Sequence, residues 1–189
     1  GYFVSGVGQF RKYNSSGTEI WDVAGSSTAR MMYDLAIDSS NNIYLVNHTF
    51  YRKFNSSGVQ QWASSKNEYV SDSMRGVAVD NAGYVYIAAY ASGIQDGTAN
   101  SGGYDIFLLK YSTSNNTKQW TRYYGSSSDE FVYDVELDSS NNVYVIGETA
   151  GNLDGTNSGG KEYQFKLRFE SGGVGELLGS EYDSLRGYD

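Results

Sequence analysis

The sequence predicts an all-β fold, a β-propeller of four-stranded blades, and three observations carry that prediction. The segment Tyr33-Asp-Leu-Ala-Ile-Asp-Ser-Ser-Asn-Asn-Ile-Tyr-Leu-Val46 recurs as Tyr133-Asp-Val-Glu-Leu-Asp-Ser-Ser-Asn-Asn-Val-Tyr-Val-Ile146, with a looser copy, Arg75-Gly-Val-Ala-Val-Asp-Asn-Ala-Gly-Tyr-Val-Tyr-Ile-Ala88, between them. Trp21, Trp62 and Trp120 recur at spacings of 41 and 58 residues. Periods of that size in an all-β pattern mark a propeller or a related array. Short β-branched and aromatic runs alternate with turns rich in Asn, Ser and Gly, as strands and hairpins do.

Each unit divides into four strands. The first is an alternating run that ends in Asp: Leu35 to Asp38, Val77 to Asp80, Val135 to Asp138. The turns Ser39-Ser-Asn-Asn42, Asn81-Ala-Gly83 and Ser139-Ser-Asn-Asn142 follow. Asn and Gly tolerate positive φ, and Asp hydrogen-bonds the backbone two residues on. The second strand, Ile43 to Asn47, Val85 to Tyr90 and Val143 to Glu148, carries little charge, as a strand covered on both faces should. The third ends in a basic–aromatic pair, Lys12-Tyr13, Lys53-Phe54, Lys110-Tyr111 or Arg168-Phe169. Alternation predicts the aromatic inward and the cation outward. The fourth carries Trp21, Trp62 or Trp120, and the last unit has Gly175-Glu-Leu-Leu178 instead.

The longer spacing comes from an insertion between second and third strands, Ala91 to Gly103, matched by Gly151 to Gly160 in the last unit. Insertions at one place in each repeat fall on one face, often a binding face. The chain opens with Tyr2-Phe-Val4, a second-strand pattern, and closes with Asp183-Ser-Leu-Arg-Gly187, matching Asp72-Ser-Met-Arg-Gly76 ahead of a first strand. These ends predict about three complete blades plus part-blades at both ends of a longer propeller. The expected blade parts are residues 1–24, 25–66, 67–126 and 127–180, with the start of another at 181–189.

Gly76-Val-Ala-Val-Asp80, Val85-Tyr-Ile87, Gln95-Asp-Gly97, Tyr104-Asp-Ile-Phe-Leu-Leu-Lys-Tyr111 and Trp120 follow in order the pattern of the SBBP family of bacterial β-propeller repeats, which the chain resembles over nearly its whole length. The first unit departs from it in lacking the Leu-Asp-Gly loop, and the last in lacking the Trp. The resemblance implies an extracytoplasmic, extracellular or cell-surface propeller with no assigned catalytic site.

Composition bounds the partners. A net charge of −8 and a pI of about 4.6 argue against nucleic acid and against an anionic membrane surface. No apolar run approaches membrane-spanning length, so no membrane insertion is expected. The absence of Cys excludes soft-metal sites.

The candidate chemistry is sparse. The single His48 would have to serve any His-based dyad or triad, and otherwise is a polar residue at a strand end. Asp38, Asp80 and Asp138 would form a carboxylate ring or, as their place before the turns favours, each receive N–H groups from its own turn. Asp96, Asn100 and Asp105, with Asp154, Asn157 and Glu162, make oxygen-rich, Gly-flexed loops of the kind that suit Ca²⁺, the one cofactor expected if any is present. Trp21, Trp62 and Trp120 are candidate sugar-stacking platforms as well as packing residues. Asn14, Asn47, Asn55 and Asn115 stand in glycosylation sequons. No nucleophile–base pair is evident. These features predict a non-catalytic binding or structural module that contacts protein or carbohydrate. The alternatives are a polysaccharide hydrolase or lyase, and a half-ring that self-associates through its edge strands.

Overall fold

The computed structural model describes residues 9–24, 32–48, 50–64, 73–93, 100–151, 153, 163–169 and 175–182. These form fourteen strands: β1 (Gln9–Tyr13), β2 (Glu19–Ala24), β3 (Met32–Ile37), β4 (Ile43–Asn47), β5 (Tyr51–Phe54), β6 (Gln60–Ser64), β7 (Ser73–Val79), β8 (Tyr84–Ser92), β9 (Tyr104–Ser112), β10 (Lys118–Tyr124), β11 (Glu130–Leu137), β12 (Val143–Thr149), β13 (Tyr163–Phe169) and β14 (Gly175–Tyr182). They make one two-stranded sheet, β1-β2, and three four-stranded antiparallel meanders, β3 to β6, β7 to β10 and β11 to β14. The propeller blades expected from the repeats are these sheets. β14 runs to Tyr182, two residues past the boundary expected at 180. The expected strand at Tyr2 to Val4 and the segment Asp183 to Gly187 lie outside the described residues.

The turns form as their residues dictate. Asn41 and Asn141 take φ of 60° and 62°, and Gly83 fills the equivalent position at 92°. Each lets the chain reverse within four residues before the second strand. The inner strands share one irregularity. The register of β3, β7 and β11 shifts between Met32 and Asp34, Met74 and Gly76, and Val132 and Asp134. The extra residues are Tyr33, Arg75 and Tyr133, and a bulge re-aims its side chain.

The core consists of seams between successive sheets. Ile43, Leu45 and Phe54 pack with Phe10, Trp21 and Val23 in the first seam. Tyr44, Val46 and Tyr51 meet Met74, Val77 and Ile87 in the second. Ala78, Tyr86 and Leu108 meet Val132, Val135 and Val145 in the third. The inner strand β7 packs on both β3 and β11. β4 is buried throughout, as expected of a strand covered on both faces, but β12 alternates and leaves Ile146 exposed. Among the described residues no sheet follows the fourth to cover that side.

The seam between β7 and β11 is closed to any added atom at Gly76. A Cβ there would stand 2.7 Å from the Val135 backbone nitrogen and 3.0 Å from the Asp134 Cα. Gly76→Ala is therefore expected to lower the unfolding free energy by about 1–3 kcal/mol, the usual cost of overpacking, as read from urea unfolding of the full chain.

Candidate functional site

The Asp that closes each inner strand is spent on its own turn. Asp38 Oδ1 accepts from the Ser40 and Asn42 backbone N–H groups at 2.9 Å each, and Oδ2 from Asn42 Nδ2 at 2.8 Å and the Tyr44 hydroxyl at 3.0 Å. Asp138 repeats the set with Ser140, Asn142 and Tyr144. Asp80 accepts from Ala82 N, Tyr84 N and the Tyr86 hydroxyl. Burial opposes ionisation of Asp38, but the donors of Asn42, Tyr44 and Ser40 outweigh it and hold the carboxyl below its ordinary value. Tyr86 is pushed upward by burial first and by the Asp80 charge second. These carboxylates are structural members of the turns, not a ring poised for a cation.

The basic residues of the third strands correct the outward orientation expected from alternation. Lys110 is only 8% exposed, and its Nζ lies 4.1 Å from the Tyr84 ring centroid, 4.9 Å from Tyr86 and 5.8 Å from Trp120. Lys53 Nζ donates to the Thr113 carbonyl at 2.7 Å, and Lys12 Nζ to the Ser56 carbonyl at 3.3 Å. Each of these two reaches the outer turn of the next sheet. The long stem lies along the aromatic wall while the ammonium finds a carbonyl or a ring face, so strand alternation alone does not fix its environment.

The three Trp are engaged in the same seams. Trp21 stands edge-on to Phe10 at 5.0 Å and donates its indole N–H to Ser56 O at 3.1 Å. Trp62 lies 5.3 Å from Tyr51 and 6.0 Å from Tyr44. Trp120 meets Tyr86 at 6.0 Å and the Arg122 guanidinium at 5.0 Å. A sugar platform needs an open ring face, and these contacts occupy part of each indole.

Of the sequon residues, Asn14 and Asn115 are exposed and Asn55 half-buried, each accepting backbone N–H groups within its own turn. Asn47 is fully buried and its Oδ1 accepts from Phe50 N at 2.9 Å. That burial closes Asn47 to a glycan. The sequon alone predicts a glycan at Asn47, and the burial of that strand end excludes it.

Asp96, Asp154, Asn157 and Glu162 lie outside the described residues. Asn100 donates from Nδ2 to the carbonyls of Gly102 and Gly103 at 2.7 and 2.6 Å. Asp105 is buried and accepts from Ser101 N at 2.5 Å. Among the described residues no three His, Asp or Glu side chains converge where a metal ion could be held.

The bulges build a cluster that the sequence alone did not single out. His48 has both ring nitrogens engaged, Nε2 with the Tyr33 hydroxyl and Nδ1 with Ser73 Oγ at 2.8 Å. This brings a Ser to the His, with Ser73 buried and His48 half-buried. Arg75 stacks over Tyr33 at 4.4 Å and donates to the Tyr90 hydroxyl at 2.9 Å. Tyr90, Tyr104 and Phe131 form a half-exposed aromatic triangle with centroids 5.0–5.6 Å apart. Asp34 accepts from Val77 N, across the seam, at 2.7 Å; burial raises its pKa, the bonds to Val77 and Leu35 N–H lower it, and the Asp134 charge adds to the rise. The insertion joining β8 to β9 leaves from this same end of the blade. The repeated Tyr33-Asp34 and Tyr133-Asp134 were the available signal. Only the bulge register shows where their side chains go.

Comparison with known proteins agrees with this architecture. Residues 119–154 match an SBBP beta-propeller repeat. The matched SBBP segment runs from β10 through β12, so the repeat starts on the outer strand of one blade and ends beyond the two inner strands of the next. No curated protein matches the chain. Among solved structures, a protein of unknown function from Bacteroides caccae aligns with a TM-score of 0.51 at 7% identity over 89% of this chain. The quinohemoprotein alcohol dehydrogenase of Comamonas testosteroni aligns at 0.61 and 11% identity over 96%. The chain spans 66% of the former and 34% of the latter. At these identities the likeness is one of fold.

Asp80 is nine-tenths buried and satisfies two turn N–H groups and one buried hydroxyl. Asp80→Ala leaves all three without partners and is expected to cost about 1–3 kcal/mol, measured by urea unfolding against the wild type.

Proposed function

We propose that the chain is a non-catalytic binding module of a surface, extracellular or multiprotein assembly, which contacts protein or carbohydrate through the bulge end of its blades. One observation carries the reading. Arg75, Tyr90, Tyr104 and Phe131 remain half-exposed together at that end, where the insertion also emerges. Arg and Tyr supply most binding energy at protein interfaces, and aromatic faces also hold sugar rings. The half-exposed set is preassembled by ring–ring and Arg–ring contacts, so little ordering is left for a ligand to impose. Calcium belongs to this reading only as an ordering ion for the insertion loops.

A second reading, self-association, has its own observation. Leu35 on β3 is 48% exposed, whereas its repeat equivalents Val77 and Val135 are 4% and 1% exposed beneath the preceding sheet. Leu35 and Ile37 line an open cleft with Phe10, Trp21 and Ile43, beside the two-stranded sheet. An apolar strand pair from another copy fits there, and sedimentation across a concentration series distinguishes this reading from a monomer.

The binding reading is tested on an array of defined oligosaccharides and by capture of surface proteins from the source cell. Saturable binding by the wild type should weaken at least tenfold, about 1.4 kcal/mol, in Arg75→Ala with Phe131→Ala, measured at a temperature where tryptophan fluorescence shows the variant folded. Turnover of a polysaccharide by the protein would overturn the non-catalytic reading in favour of a hydrolase or lyase.

A further inference from the structure

The bulge end of the third sheet carries a cation with no carboxylate paired to it among the described residues. Arg75, the extra residue of the β7 bulge, is half-exposed. Its guanidinium lies 4.4 Å from the Tyr33 ring centroid and 5.5 Å from that of Tyr90. One N–H group goes to the Tyr90 hydroxyl at 2.9 Å. The ion pairs among the described residues belong to Arg11, with Glu19 and Asp22. The bulges of β3 and β11 place Tyr33 and Tyr133 where β7 has Arg75, so the cation is peculiar to the third sheet. Contact with two rings holds the guanidinium in place and leaves its remaining N–H groups for an acceptor from solvent.

Away from Arg75 the surface changes sign. Tyr90, Tyr104 and Phe131 come next, with centroids 5.0–5.6 Å apart, and they cross from the third sheet to the fourth. At their far side Asp129 Oδ1 accepts from Tyr104 N at 2.8 Å, and half-buried Glu148 stands opposite Phe131 in the β11–β12 ladder. Residues opposed in this way share a face of the sheet. The order is cation, aromatic rings, carboxylates. A matching ligand has an anionic group at one end, apolar ring faces in the middle and neutral donors at the other end. A pyranose oligosaccharide with one carboxylate supplies all three. Its C–H faces stack on aromatic rings, its hydroxyls donate to Asp129 and Glu148, and its carboxylate takes the open side of the Arg75 fork. The ring-to-ring steps are comparable to the advance of a pyranose chain per sugar. A polyuronate fits poorly, because its further carboxylates meet Asp129, Glu148 and a net charge of −8. A peptide fits less well than a sugar. Tyr90 and Tyr104 stand on strands paired on both sides, which offer no edge for a peptide to join.

We propose that this row is a subsite for an oligosaccharide bearing a single uronic acid among neutral sugars, with the uronate carboxylate on Arg75 and the neighbouring sugar against Tyr104 and Phe131. The inference rests on the binding reading and names its ligand class. Arg75 selects the acid, and the rings hold the chain whatever its charge.

The experiment titrates the full chain by calorimetry with a tetrasaccharide that contains one uronic acid, with the same tetrasaccharide after reduction of that carboxyl to an alcohol, and with a tetrasaccharide made wholly of uronic acid. A short peptide with one Glu between Tyr residues is the remaining probe. The single-uronate form should bind about tenfold or more tightly than the reduced form, and more tightly than the all-uronate form. Arg75→Gln should abolish that preference and leave binding of the reduced form within about twofold, whereas Phe131→Leu should weaken both forms alike. Arg75→Lys keeps the charge and loses the fork, so it should retain part of the preference; it keeps the test decisive where Arg75→Gln folds poorly. Equal binding of the acid and reduced forms would overturn the inference and leave the binding reading standing. Tighter, Arg75-dependent binding of the peptide would do the same. No saturable binding of any probe would also overturn it, and the binding reading falls with it only when surface-protein capture fails as well.

Discussion

The fold rests on one constraint: a four-stranded sheet in this chain buries its faces only against the sheets before and after it. The inner strands show it directly. β7 lies between β3 and β11, and Val77 and Val135 are buried under their predecessors while Leu35, preceded among the described residues by the two-stranded sheet, is not. Burial of this kind contributes about 25 cal/mol per Å² of apolar surface, and here it accrues seam by seam. The polar contacts follow the same direction. Lys12 and Lys53 each donate to the outer turn of the next sheet, Tyr51 reaches the Asn116 side chain, and Asp34 holds Val77 N. The first sheet is thus tied to the second and the second to the third at their outer strands, and the second to the third at its inner edge as well.

Within a sheet the governing unit is smaller. The Asp–turn–Tyr arrangement satisfies the buried carboxylate, two turn N–H groups and a strand hydroxyl in one place. It fixes the register between first and second strands, and that register determines which side chains face the seam. The bulge a few residues earlier then turns Tyr33, Arg75 and Tyr133 toward the end of the blade without disturbing that register. A rigid turn and a bulge on the same inner strand let the chain vary one end of the blade while keeping its packing.

The repeated elements were legible in the sequence because each is encoded locally. Asp38, Asp80 and Asp138 precede turns that require positive φ, and Asn41, Gly83 and Asn141 supply it. Trp21, Trp62 and Trp120 mark fourth strands. What was not legible depends on contacts between sheets. Lys110 belongs inside because Tyr84 and Tyr86 of β8 and Trp120 of β10 cover it, and Asn47 is buried at the end of β4, where it accepts from Phe50 N. His48 and Ser73 are brought together by different sheets, as are Asp105 and Glu130, and no local spacing relates them. Asp105 was visible only as an oxygen donor at a loop.

The three seams are not chemically alike, and that difference bears on how the array opens. In repeat architectures stability is approximately a sum of unit and neighbour terms, so the weakest joint sets where local opening begins. The second seam is aromatic and aliphatic, with Tyr44, Tyr51, Tyr111 and Phe107 in one cluster and the Tyr51 ring against that of Tyr111. The third shares the apolar interior of Ala78, Leu108, Val135 and Val145 but ends in two buried carboxyl groups, Asp105 and Glu130. Opening at the third seam would separate Tyr90 and Tyr104 from Phe131, since the first two stand on β8 and β9 and the third on β11. The half-exposed cluster at the bulge end therefore spans the joint between the third and fourth sheets.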